Sequence, residues 1–295
     1  MFLPSSSPDH PFKMAAIDAL LSNVWVIFLI FTFLVPRLQQ TMLQNARSSA
    51  LRNLGKKRGT NVVSLIHRQE TLSFFGLPIS RYIDIDDSED LLRIIRMTPD
   101  DQPIDLIIHT PGGIALAATQ VAFALKEHRG RTTVMVPHYA MSGGTLIALA
   151  ADEIMMDPHA VLGPVDPQIG TQNGAYSASS MLKVVERKKT DEIDDETLYL
   201  AEEAQKAVGQ MKDTVRKLIG DKYPPERIDK IIEDLVTGKY THDFPITAEV
   251  VCEMLGQCAK NELPKEVYQL MNLYKMGQQQ RRPSVEYVPM TPRTR

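Results

Sequence analysis

Two apolar strands that each end in a Gly-Gly turn and run straight into a helix constrain this chain more than any other feature in it. The first is IDLIIHTPGG (104–113), followed by IALAATQVAFALKEH, in which Ile114, Ala117, Ala118, Val121 and Leu125 share one helical face. The second opens with the β-branched run TTVMVP (132–137), breaks at HYAMSGGT (138–145) and continues into TLIALAADEI (145–154), whose apolar residues recur at helical spacing. Two such units in succession predict parallel neighbouring strands joined by a right-handed crossover. Both glycine turns then fall at the C-terminal edge of one sheet.

Ser142 occupies the tip of the second turn, with a helix beginning behind it. Unpaired N–H groups and the positive end of the helix dipole meet at such a place, so negative charge developing there is stabilised without any side chain moving. A serine N-cap followed by glycines that ease a turn has the same letters. The upstream turn argues for chemistry, because the amides of Gly113 and Gly143 can converge beside the Ser142 hydroxyl. Acyl transfer requires two convergent donors for its oxyanion, each worth roughly 3 kcal/mol in the transition state. Spacing alone supports an oxyanion-type site with its substrate open.

TPGG, then AMSGGT, then ADEIMMDPHAVLGPVDPQIG (151–170) resemble the Clp-fold serine peptidases, which share the crotonase-like architecture. Within them the chain is most similar to the SppA-like, membrane-bound branch, specifically the serine dehydrogenase proteinase family. The similarity runs from about residue 59 (GTNVVSLIHRQE) to about residue 256 (THDFPITAEVVCEMLG). The resemblance implies an α/β, parallel-sheet spiral domain and a serine peptidase acting on polypeptides. It also implies Ser142 as nucleophile, Gly113 and Gly143 as the oxyanion hole, and assembly into a homo-oligomer.

A serine hydroxyl needs a proton acceptor, and a lysine can serve only if desolvation lowers its pKa by several units. Lys183, in SSMLKVVE, has Met181, Leu182, Val184 and Val185 around it, and in SppA-like relatives the catalytic lysine comes from the matching stretch. A Ser142–Lys183 dyad is therefore expected, although VERKK (185–189) would suit a solvated helix equally. Histidine is the commonest general base. In soluble Clp-type relatives a histidine follows the serine at a distance that falls here in GPVDPQIG (163–170), which has Asp166 and no histidine. His138, just before the serine turn, and His242, in KYTHDFPIT, are the auxiliary candidates. Asp166, between Pro164 and Pro167, reads either as a group orienting a base or as a rigid turn. His159 reads as a surface turn residue.

Residues 19–35, ALLSNVWVIFLIFTFLV, are nearly continuously apolar and reach the minimum of about 17 for a transmembrane helix. A signal peptide is the rival, but no small-x-small cleavage site follows. Arg37, Arg47, Arg52, Lys56, Lys57 and Arg58 lie on the C-terminal side, against Lys13 alone on the other. The positive-inside rule therefore puts the catalytic domain in the cytoplasm of a single-pass membrane protein. The lipid bilayer is one expected partner, and a polypeptide, membrane proteins included, is the expected substrate. A nucleic-acid role is poorly supported by a net charge of −3.

The expected organisation is a tail at 1–16, an anchor at 17–36, a helical linker at 37–58 and a peptidase domain at 59–258. A helix and a polar, proline-bearing tail expected to be disordered occupy 259–295. A strand is expected at VVSLIH (62–67), and another at RYIDIDD (81–87), before a helix capped by Ser88. The apolar segment between them, with Phe74, Phe75 and Leu77, reads as a substrate lip or a buried loop. Long helices are expected over 194–220 and 224–238. Cys252 and Cys258 lack metal-pair spacing and read as ordinary packing residues, so no metal is expected. No phosphate-cradling motif is present, so neither ATP nor a dinucleotide cofactor is expected. Two rival readings remain: a crotonase-like acyl-thioester enzyme, disfavoured because no glutamate sits at a glycine turn, and a membrane scaffold with an idle site.

Overall fold

The structure, a computed structural model, describes Trp25 and residues 28–68, 82–172, 174–256 and 263–274. The chain divides into two units, Met1–Ala50 and Leu51–Arg295. In the first, a π-helical turn at Ile30–Leu34 leads into α1, Val35–Arg58. Trp25, Phe28, Phe31 and Phe33 are each more than half exposed. Among the described residues no helix is long and apolar enough to cross a membrane. Residues 1–24, 26 and 27, with half of the expected anchor, lie outside the described residues, as do Phe74, Phe75, Leu77, Cys258 and the tail beyond Tyr274.

The second unit is built on strands in the order the glycine-turn units imply. It contains β1 (Asn61–Ile66), α2 (Ile85–Met97), β2 (Ile104–His109), α3 (Ala115–Glu127), β3 (Thr132–Val136), β4 (Tyr139–Ala140), α4 (Gly143–Ala150), β5 (Glu153–Met156) and β6 (Val161–Leu162). Beyond these come β7 (Gln168–Thr171), β8 (Gly174–Ser177), α5 (Ala178–Glu186), α6 (Asp195–Ile219), α7 (Pro225–Val236), β9 (Ile246–Thr247), α8 (Ala248–Leu255) and α9 (Lys265–Asn272). β1, β2, β3 and β5 form one parallel sheet in that spatial order, with Ile66 opposite His109 and Ile107 opposite Met135. Every residue of β2 and β3 is buried, as strands covered on both faces must be. A second small sheet pairs β4 with β6 and β6 with β9, and β7–β8 is a separate hairpin.

Several local expectations are corrected by tertiary contacts. The helix expected to be capped by Ser88 begins earlier: Asp84 accepts from the Asp87 amide while the Asp87 side chain accepts from Asp84, a reciprocal cap. Ser88 is buried within α2 and donates to the Ile85 carbonyl. Among the described residues of the expected strand at 81–87, only Ile83 makes a bridge, to Gly113. The apolar run after Ser142 is helical only to Ala150, and Glu153–Met156 is a strand against β3. The Asp152 carboxylate accepts from the Thr132 amide at 2.7 Å and the Asp152 amide donates to the Thr132 hydroxyl at 3.0 Å, locking β3 to the start of β5.

The 56–58 cluster is not simply solvated. Arg58 pairs with Asp105, a carboxylate only 1% exposed on β2 that also accepts from Thr60 at 2.7 Å. A buried carboxylate needs such partners, because an isolated charge out of water is strongly disfavoured. Cys252 is disulfide-bonded rather than an ordinary packing residue.

Candidate active site

The nucleophile turn has an unusual backbone. Ser142 has φ 47° and ψ −113°, the one described non-glycine residue with positive φ, a conformation that costs on the order of 1–3 kcal/mol and persists only where neighbours over-determine it. Met141 donates to the Thr110 carbonyl at 3.0 Å and Thr110 donates to the Tyr139 carbonyl at 3.2 Å, so the serine turn is stitched to the end of β2. Behind it, Gly144 donates to the Met141 carbonyl at 2.8 Å. The serine is thus held out at the head of α4.

The two glycine turns meet there. A Cβ placed on Gly112 would stand 2.9 Å from the Ser142 Cβ and 3.3 Å from the Gly143 nitrogen. On Gly113 it would collide with the backbone of Ile83 at 2.2–2.7 Å, so only glycine allows this approach. Ile83 donates to the Gly112 carbonyl and accepts from Ile114, both at 2.8 Å. In such a parallel bridge the Gly113 N–H is turned away from Ile83. Among the described residues neither the Gly113 nor the Gly143 amide donates to a protein acceptor. Both line, with Ser142, one cavity of about 510 Å³.

Asp166 and His242 line the same cavity. Asp166 is 1% exposed, its Oδ1 lies 2.8 Å from His242 Nδ1, and its Oδ2 accepts from Gln168 Nε2 at 2.8 Å. The Pro-flanked segment is therefore an inward-facing support and not a surface turn. Thr145, fully buried on α4, accepts from the Gly163 amide at 3.0 Å and its hydroxyl lies 2.8 Å from the Ala140 carbonyl, tying the serine turn to the strand that leads to Asp166. His242 rides on a short loop stiffened by Phe244 donating to the Thr241 carbonyl at 2.9 Å and by stacked rings of Tyr240 and Phe244, 4.4 Å apart.

Other expected residues are not gathered there. The apolar setting expected around Lys183 is absent: the residue is exposed on α5 and its Nζ donates to the Gly238 carbonyl at 3.3 Å, outside the cavity. His138 is exposed and lines a different cavity. His159 is an exposed turn residue, its amide donating to Asp157. His67, which no spacing rule singles out, is 5% exposed; its Nδ1 lies 3.0 Å from the Thr110 hydroxyl and its Nε2 3.1 Å from Asp87. Thr110 Oγ1 in turn accepts from the Gly112 amide at 3.2 Å, so His67 braces the first glycine turn. Its apolar strand VVSLI was legible, but nothing in it announces that partner.

Residues 12–295 match the ClpP-like SDH-type serine proteinases. The chain belongs to that family. It is a serine peptidase, and its ClpP-like α/β fold around a parallel sheet agrees with the one expected. Two uncharacterised proteins of Methanocaldococcus jannaschii are similar to it along nearly their whole lengths. One is 50% identical, covering 94% of this chain and 95% of the relative. The other is 48% identical, covering 90% and 88%. Among solved structures, a membrane-bound stomatin-specific protease mutant with a substrate peptide is 20% identical, with a TM-score of 0.42 over 59% of this chain and 68% of that one. ClpP1 from Listeria monocytogenes is 14% identical, with a TM-score of 0.42 over 68% and 92%.

Proposed function

We propose that this serine peptidase is a membrane-anchored, ATP-independent endopeptidase in which Ser142 attacks the peptide carbonyl and His242, oriented by Asp166, is the base. The observation that carries the assignment of the base is the Asp166–His242 pair, with its carboxylate 1% exposed and its 2.8 Å contact, lining the cavity of Ser142. With Nδ1 engaged by Asp166, the ring presents Nε2 to accept the serine proton. The Ser142 oxygen bonds to the carbonyl carbon, and the oxyanion lies between the Gly113 and Gly143 amides, which have no protein acceptor to give up. His242 returns the proton to the leaving amine, and water, deprotonated by the same imidazole, clears the acyl-enzyme.

Lys183 is the competing base. It keeps the position expected from the resemblance but would have to leave Gly238 and lose its water to act. Anchoring is favoured by the apolar run at 19–35 and by the exposed Trp25, Phe28, Phe31 and Phe33, large apolar side chains that a bilayer would cover. A homo-oligomer on a polypeptide substrate, membrane proteins included, completes the reading.

Fluorophosphonate labelling and peptide turnover test it. Ser142→Ala abolishes labelling in a folded protein, His242→Ala lowers turnover by several orders of magnitude, and Lys183→Ala leaves it nearly unchanged. Unaltered labelling of Ser142→Ala removes the nucleophile. The inverse pattern for the last two variants returns the base to Lys183. Extraction of the full chain by alkaline carbonate would remove the anchor.

A further inference from the structure

On the opposite face of the sheet from Ser142 lies a second cavity of about 530 Å³, lined by Arg68, His109, His138, Tyr139, Tyr268 and Asn272 among others. Its position follows from strand alternation: Ile108 reaches toward the nucleophile helix, 3.7 Å from where a Cβ on Gly144 would be, so His109 must point to the other side. His109 is only 6% exposed, yet its Nδ1 has no hydrogen-bond partner among the described residues. Buried polar groups are almost always satisfied, so an imidazole that lines a cavity with one nitrogen unpartnered leaves hydrogen-bonding capacity that the fold does not use. The one fixed charge among the described lining residues is positive, that of Arg68. The rings of His138 and Tyr139 lie with their centroids 5.5 and 4.2 Å from that of His109, and the guanidinium of Arg68 lines the same wall. No carboxylate is among the described lining residues, and Asp157, the partner of the lining Tyr268, also accepts from the His159 amide.

We propose that this cavity binds a small oxyanion, a phosphate or carboxylate group, that accepts hydrogen bonds from His109 and lies against Arg68 and His138. The field inside it agrees: burial, then the charges of His138, Arg68 and His67, hold the His109 imidazolium down to about 4, and an anion reverses the electrostatic part of that penalty. Arg68 supplies a planar fork suited to either group, and Tyr139 and Asn272 supply neutral donors. Neither Ser142 nor His242 takes part, so the site stands independently of the peptidase assignment.

The test is a titration of the full chain, ¹⁵N-labelled at histidine, with inorganic phosphate and separately with acetate, following the ring resonances of His109 and His138. A saturable shift with phosphate identifies a phosphate-bearing ligand, and one with acetate alone a carboxylate. No saturable shift with either overturns the proposal. His109→Phe weakens binding by about tenfold or more, the loss expected for one charge-assisted hydrogen bond, while Ser142→Ala leaves it unchanged. Wild-type affinity in His109→Phe overturns the proposal too. Should that variant not fold, the exposed His138→Ala, expected to bind several-fold more weakly, decides by the same criterion.

Discussion

The cavity of Ser142 and the cavity of His109 flank the same strand ends, and each has a histidine in its wall, but the two histidines are set up oppositely. His242 is half-exposed and leans on a carboxylate that is 1% exposed; His109 is buried, has no partner at Nδ1 and is held below its ordinary pKa first by burial and then by its neighbours His138 and Arg68. The first arrangement fixes a tautomer and stabilises the imidazolium that forms when a proton arrives. The second penalises that imidazolium. A histidine is thus oriented by a carboxylate in one place and kept neutral by burial in the other.

Removing the carboxylate from the first site is the strongest way to break this contrast. Asp166→Asn retains the shape but favours the wrong tautomer of His242, and peptide turnover is expected to fall about 10⁴-fold. Turnover within tenfold of wild type would deny Asp166 its role. At the second site the readout is stability. The pKa of His109 is about 4 when folded against 6.5 as its ordinary value, so the unfolded chain binds the extra proton. Its contribution is fully present above pH 6.5 and is lost as pH falls toward 4, an expected loss of about 3 kcal/mol. Chemical denaturation in phosphate-free buffer should show His109→Phe with a flatter acid limb; an unchanged limb would mean that His109 is solvated.

Smaller effects sharpen the comparison. Gln168→Leu frees Asp166 Oδ2 while leaving Oδ1 with His242 and should lower turnover by about tenfold, the worth of one hydrogen bond to a charged group. No change would place the whole orientation of Asp166 in its packing. Lys183→Ala should alter turnover by less than about threefold, because an exposed lysine bonded to one carbonyl contributes little. A loss of orders of magnitude there would transfer the base to the lysine.

Much of the frame was legible because local pattern and tertiary role agree. TPGG and AMSGGT each demand a turn that only glycine permits, and the buried strands before them are apolar throughout, so the parallel sheet and the meeting of the two turns follow. The surroundings of the candidate bases were less legible. Lys183 has apolar neighbours in sequence, but on its helix the residue is exposed and its amine donates to the Gly238 carbonyl. Asp166 and His242 are seventy-six residues apart, with no shared local pattern. The run after Ser142 could not reveal its own break, since a helix and a strand that are both buried look alike in composition.

By itself, then, the sequence determined where the chain must turn and which serine stands at a turn, because backbone sterics act over a few residues. Which side chains face that serine was decided only in the tertiary structure. Hydrogen-bond partners such as Asp166 and His242, or the bare imidazole of His109, depend on where distant loops close over the sheet, and no spacing along the chain encodes that distance.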